Sequence, residues 1–136
     1  MKKKLKLNKK KIFPVNIPHI TNNDIRYVNN ALKSGWISSD GPNVKIFEEK
    51  FSKYINRKYS IAVSSGTAAL EIAVKALGIK KNDEVLIPNF TIISNALAVI
   101  KQHAKPVLLD CNLENWNINI DDIERKINKK TKAIII

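Results

Sequence analysis

Ser65, Gly66 and Thr67 form the segment of this chain best suited to chemistry. An apolar run over residues 59–63 leads into it, and a strongly helical pattern begins at Thr67. The expected succession is a strand, a tight turn and a helix start. A helix start leaves several backbone N–H groups without intrahelical partners and carries the positive end of the helix dipole. Together these features favour an anion, most often phosphate. Gly66 lacks a Cβ, so a ligand can come close to its backbone. Ser65 and Thr67 add hydroxyl groups. Two readings stand: Ser65 or Thr67 caps the helix with no ligand, or the turn binds a phosphate.

Other reactive chemistry is sparse. His19 and His103 stand alone, and Cys111 has no companion at metal-ligand spacing, so no metal site is expected. A single cysteine allows no internal disulfide, which fits a reducing cytoplasm. His103 lies near an expected helix C-terminus and reads as structural. There is no Gly-Lys-Ser/Thr phosphate loop and no Gly-x-Gly-x-x-Gly after a strand, which weighs against ATPase and dinucleotide-binding classes. Asp110 follows an apolar strand and is either a ligand-holding residue or a polar strand end. Trp36 either lines a pocket or anchors its own loop.

The elements that must position these residues are legible as alternating periods. A first helix starts near Thr21, with Asp24 completing a capping-box variant, and Gly35 stops it. Ile25, Val28, Ala31 and Leu32 follow its spacing. A glycine-bracketed loop then leads to Pro42 in the first turn of a second helix, whose apolar stripe is Val44, Phe47, Phe51 and Tyr54 or Ile55. Strands are expected over 59–63, 84–87, 107–110 and 132–136. Helices are expected over 67–77, 91–103 and 121–128, the last with Asp121 as N-cap and Glu124 completing a box. Apolar runs that do not alternate argue for a mainly parallel sheet with helices on both faces. In such sheets ligands sit at the carboxyl ends of the strands. The Ser-Gly-Thr turn, the 88–92 segment and Asp110 all fall there.

The 136 residues suffice for one domain or part of one, and 44% hydrophobic content supports a real core. The sequence closes on Lys132-Ala133-Ile134-Ile135-Ile136, the pattern of a buried strand, so part of a larger α/β domain is expected. No window approaches the ~18 apolar residues of a membrane span. The N-terminal Met-Lys-Lys-Lys stretch has no apolar region behind it, so it does not read as a secretory signal. The net charge of +12 overstates any nucleic-acid character. Seven of the 24 basic residues fall in the first eleven positions, and the other 17 are scattered against 12 acidic ones. Residues 1–16 read as a basic, flexible tail, and nucleic acid is not an expected partner.

Several strings of the sequence, taken together, resemble the DegT/DnrJ/EryC1/StrS family of pyridoxal-phosphate-dependent sugar aminotransferases. They are SGWISSDGPNVKIFEEKF, AVSSGTAALEIAVKALGI, DEVLIPNFTIISNALAVI, AKPVLLDCNLENWNI and KINKKTKAIII. The resemblance runs from about Ile17 to Ile136 and is most similar to the perosamine-synthetase-like branch. It implies that residues 17–136 are the N-terminal part of a fold type I large domain, a mainly parallel sheet with helices on both faces. It implies pyridoxal 5'-phosphate as cofactor, with Gly66, Thr67 and Ala68 on the phosphate. Ile92 stands where the family usually places an aromatic residue against the pyridine ring. The 36–42 loop, with Trp36, Ser38 and Asp40, resembles the family segment near the substrate and dimer interface. The family's Schiff-base lysine and its pyridine-pairing aspartate match no residue here, so no catalytic residue is nominated. The implied reaction moves an amino group, from glutamate as donor, to a nucleotide-linked 4-keto-6-deoxy sugar, in a homodimer. The alternatives are a sugar dehydratase of the same family, or an inactive remnant serving as an interaction module.

Overall fold

The structure is a computed structural model that describes Pro14 and residues 16–136. The 1–16 tail reading therefore lies almost wholly outside the described residues. The chain divides into two compact units that part between Ser60 and Ile61.

In the first unit, α1 spans Asn22–Ser34 and α2 spans Pro42–Tyr54. The first helix is held at both ends by local chemistry. Thr21 is its N-cap, and the capping box with Asp24 is complete. The Thr21 amide donates to Asp24 Oδ2 at 2.7 Å, and the Asp24 amide donates to Thr21 Oγ1 at 3.4 Å. Gly35 ends the helix in the left-handed region at φ 73°, which a glycine adopts without strain. Pro42 opens α2, where its missing N–H costs nothing. The expected stripes have the right spacing but little cover: Ile25, Val28, Leu32, Phe47 and Phe51 are all exposed. Caps and propensity form these helices; burial within the described unit does not.

The second unit contains α3 (Gly66–Ala76), β1 (Glu84–Pro88), α4 (Ser94–Ile100), β2 (Lys105–Leu109), α5 (Ile120–Lys126) and β3 (Thr131–Ile134). The strands form one parallel sheet in the order β2-β1-β3. The β1–β2 register runs from Glu84 opposite Lys105 to Pro88 opposite Leu109. Val85, Leu86 and Ile87 are successive and all buried, so both faces of the central strand are covered. On one face Val85 and Ile87 pack with Val74 of α3 and with Ala98 and Val99 of α4. On the other, Leu86 shares a hollow with Ile123 of α5 and with Ile127, just past the end of that helix. The fold class is α/β, as the apolar runs indicate.

Three local expectations are corrected. Residues 59–63 form no strand, and Tyr59 and Ile61 are exposed. Apolar composition favours a strand, but only ladder bonds to a neighbour make one, and none of the described strands pairs with this segment. The α4 helix is shorter than expected, starting at Ser94 instead of Thr91. Asn95 donates its side-chain amide to Thr91 Oγ1 at 2.8 Å, holding residues 91–93 as a turn ahead of the helix. It ends because His103 enters the left-handed region at φ 55°. The His103 amide donates to Ile100 O at 2.8 Å and its carbonyl accepts from Asn82 at 3.3 Å, which makes His103 a structural stop. Finally, α5 is capped by Asn119, whose side chain accepts from the Asp121 amide at 3.0 Å. Asp121 is thus inside the helix, where its charge complements the dipole.

Candidate functional site

The first turn of α3 is where the sequence pattern places its most polar turn, and the helix does begin there, at Gly66. Ser65 is the N-cap, and its Oγ accepts from the Ala68 amide at 3.2 Å. Its carbonyl accepts from the Ala69 amide at 3.0 Å. The amides of Gly66 and Thr67, at the first two helical positions, have no intrahelical carbonyl to bind. A Cβ built on Gly66 meets no atom within 4 Å, and its φ is not left-handed. Neither packing nor backbone conformation therefore demands glycine at this position, and the space over it is open. The capping reading and the anion reading turn out to be compatible. Ser65 takes one amide, and two amides remain.

Thr67 Oγ1 lies 2.9 Å from Ser94 Oγ. Ser94 is buried at the first position of α4, which follows the carboxyl end of β1 through residues 89–93. This bond draws the first turns of α3 and α4 together at the carboxyl end of the sheet, where parallel sheets bind ligands. Ile92 is in the same β1–α4 connection and is 65% exposed. Phe90, also exposed there, has its ring 5.2 Å from that of Trp116.

Asp110 resolves toward its strand-end reading. Its Oδ1 accepts from Asn89 Nδ2 at 3.0 Å and from the Cys111 amide at 2.9 Å. It thereby ties the ends of β1 and β2. Trp36, Ser38 and Asp40 belong to the first unit, in the exposed α1–α2 loop. Trp36 is 55% exposed, so it does not anchor that loop in a core. The Gly41 amide donates to Ser38 O at 3.1 Å. A Cβ at Gly41 would crowd Ser38 O at 3.2 Å, which explains that glycine. No group of histidine, cysteine and acidic residues suited to a metal exists among the described residues. No helix among them is long and apolar enough to cross a membrane.

Two residues that matter locally escaped the sequence reading. Ser94, like Asn95 beside it, is a buried polar residue opening a helix that is apolar over its other five positions. Asp122, buried at 3% exposed, accepts from the Asp110 amide at 2.7 Å, from Lys126 Nζ at 2.7 Å and from Arg125 at 3.0 Å. The Lys126 hydrogen bond first, and the Asp110 amide next, hold its carboxyl down at about 2, against an ordinary 3.8. A depressed folded-state value gives stability that is fully present above the unfolded value and is lost as pH falls through the folded one. The protein should therefore lose stability between pH 4 and pH 2, relative to an Asp122→Asn variant. Urea midpoints measured across that window should converge for the two proteins at its acid end; parallel curves would show that Asp122 is not the titrating group.

A family model described as the DegT/DnrJ/EryC1/StrS aminotransferase family matches residues 18–136. The chain belongs to this family. Among curated members it is 42% identical to GDP-perosamine synthase of Escherichia coli O157:H7, over 92% of this chain and 34% of that protein. It is 38% identical to GDP-perosamine synthase of Vibrio cholerae, over 91% of this chain and 34% of that protein. Among solved structures, the PLP form of Spr1654 from Streptococcus pneumoniae, assigned as a sugar aminotransferase, superposes with a TM-score of 0.80. That match has 33% identity and covers 90% of this chain and 31% of that one. The chain thus spans about a third of the length of the curated family members it matches.

Proposed function

We propose that this chain supplies the phosphate-binding part of the cofactor site in a pyridoxal-phosphate-dependent aminotransferase. The amino acceptor is a nucleotide-linked 4-keto-6-deoxy sugar, and glutamate is the donor. Residues 17–136 make the N-terminal portion of the cofactor-binding domain, behind a basic tail over 1–16. The observation that carries this reading is the first turn of α3. Two unbonded amides, the Thr67 hydroxyl and open space over Gly66 lie together at the carboxyl end of a parallel sheet. A phosphate dianion offers only acceptors, and this turn offers donors at the positive end of a helix. The family relatives named GDP-perosamine synthase support the sugar class.

The roles follow from the side chains. Gly66 and Thr67 bind phosphate oxygens through their amides, and Thr67 Oγ1 donates a third hydrogen bond. The Ala68 amide joins them when Ser65 Oγ gives up its long 3.2 Å bond. Ile92 forms an apolar wall on the ring, with dispersion contact and no π-stacking. When bound, pyridoxal phosphate supplies an electron sink for the carbon that loses its proton. Trp36, Ser38 and Asp40 serve the substrate side or the interface of a homodimer working in the cytoplasm. No lysine of this sequence is assigned the proton-moving role.

The test is amination by the protein expressed from its native reading frame. Supplied with pyridoxal phosphate, glutamate and a nucleotide-linked 4-keto-6-deoxy sugar, it should yield a product carrying one new amino nitrogen by mass. The 136 residues alone should yield none, because the family's catalytic lysine has no counterpart among them. Loss of water from the sugar without gain of nitrogen would replace amination with dehydration. Failure to bind pyridoxal phosphate at all would remove the cofactor reading.

A further inference from the structure

Ser94 places a second hydroxyl beside the phosphate turn, and nothing in the binding of phosphate itself requires it. The geometry points to Ser94 as a positioning residue that aims the Thr67 hydroxyl at the cofactor phosphate. This rests on the phosphate reading of α3 and goes beyond it.

Ser94 Oγ makes one hydrogen bond among the described residues, to Thr67 Oγ1 at 2.9 Å and 27 positions away in sequence. It is not capping its own helix: the N-cap of α4 is Ile93, and α4 has no side-chain cap bond. It is 8% exposed, so water competes poorly for it. In a pair of hydroxyls only one proton lies between the oxygens, and each oxygen can also accept. If Thr67 donated to Ser94, its proton would be spent there. A phosphate over Gly66 takes only donors, so the favoured order is Ser94 donating to Thr67, and Thr67 donating to phosphate. Each bond in such a chain polarises the next. Ser94 then holds the Thr67 rotamer and strengthens its donor, without touching the cofactor.

Pyridoxal phosphate and pyridoxal, which lacks the phosphate, are the probes, titrated into the protein expressed from its native reading frame. Thr67→Val should weaken pyridoxal phosphate about thirtyfold and leave pyridoxal unchanged. Ser94→Ala should weaken pyridoxal phosphate about fivefold, again leaving pyridoxal unchanged, and Ser94→Thr should restore it. The double variant should bind no worse than Thr67→Val alone, since the serine acts only through that hydroxyl. Unfolding midpoints of the same proteins show what the bond contributes to stability. If Ser94→Ala leaves the ratio of the two affinities unchanged while Thr67→Val shifts it, Ser94 is only a tie between helices. The positioning role is then overturned and the phosphate site stands. If neither variant shifts the ratio, the phosphate is bound elsewhere and both readings are lost.

Discussion

Gly66→Asp should weaken pyridoxal-phosphate binding about a hundredfold or more and leave the fold intact. The structure sets these two effects apart because nothing lies within 4 Å of a Cβ at this position. The backbone there is not left-handed, so an L-residue enters without strain. A carboxylate in the first turn of α3 faces the positive end of the helix and adds about 0.5 kcal/mol of stability. The same carboxylate would stand where the proposed phosphate sits and compete for the amides of residues 66 and 67. Like charges brought together in a binding site cost several kcal/mol, so affinity should drop about a hundredfold or more. Gly66→Ala is the companion variant. It removes the glycine's extra freedom in the unfolded chain and should stabilise by ~0.4–1 kcal/mol. Thermal unfolding and absorbance titration of both variants separate the effects. An aspartate variant that still binds within threefold of the parent would move the phosphate away from α3.

Ile87→Ala should do the reverse, damaging the fold first and binding only in consequence. Ile87 is 1% exposed and packs in the cluster that joins β1 to α3 and α4. Removing its branched end leaves a cavity among Val74, Val85, Ala98 and Val99. Large-to-small changes of this kind cost ~2–5 kcal/mol, against a total of ~5–15 kcal/mol for ordinary domains. The cluster also sets the spacing of the two helices whose first turns meet at Thr67 and Ser94. Cofactor affinity should therefore weaken together with the unfolding midpoint. Ile92→Ala is the contrast: at 65% exposed it should change stability by less than ~0.5 kcal/mol while weakening cofactor binding. Denaturant unfolding monitored by circular dichroism provides the comparison. An Ile87→Ala protein as stable as the parent would mean that the sheet and its two helices are not packed as described.

Much of both units is readable from residue order, because the signals are local. Gly78 at φ 71° after α3, Pro88 closing β1 and Gly35 closing α1 each act through their own backbone. The Thr21–Asp24 box is likewise complete within four residues. Where local signals competed, the reading slipped. Asn119 and Asp121 are both good caps, and only the hydrogen bond from the Asp121 amide to Asn119 shows which of them is used. Residues 59–63 carry strand composition without a paired neighbour, so composition alone misled. The α4 start slipped because Thr91, a capable cap by type, is instead engaged by the Asn95 side chain.

By itself, the sequence determined the parallel α/β character, the family and the helix start at the Ser65-Gly66-Thr67 turn. Helix starts, left-handed stops and uninterrupted apolar strands are properties of neighbouring residues, and the family strings are written in consecutive positions. Tertiary structure alone decided that Thr67 meets Ser94, that Asp110 ties β1 to β2, and that Asp122 is buried under two cations. Those pairs depend on how helices cross and strands register, distances that no local period encodes. A hydroxyl or carboxylate takes its role from what folding brings within about 3 Å of it.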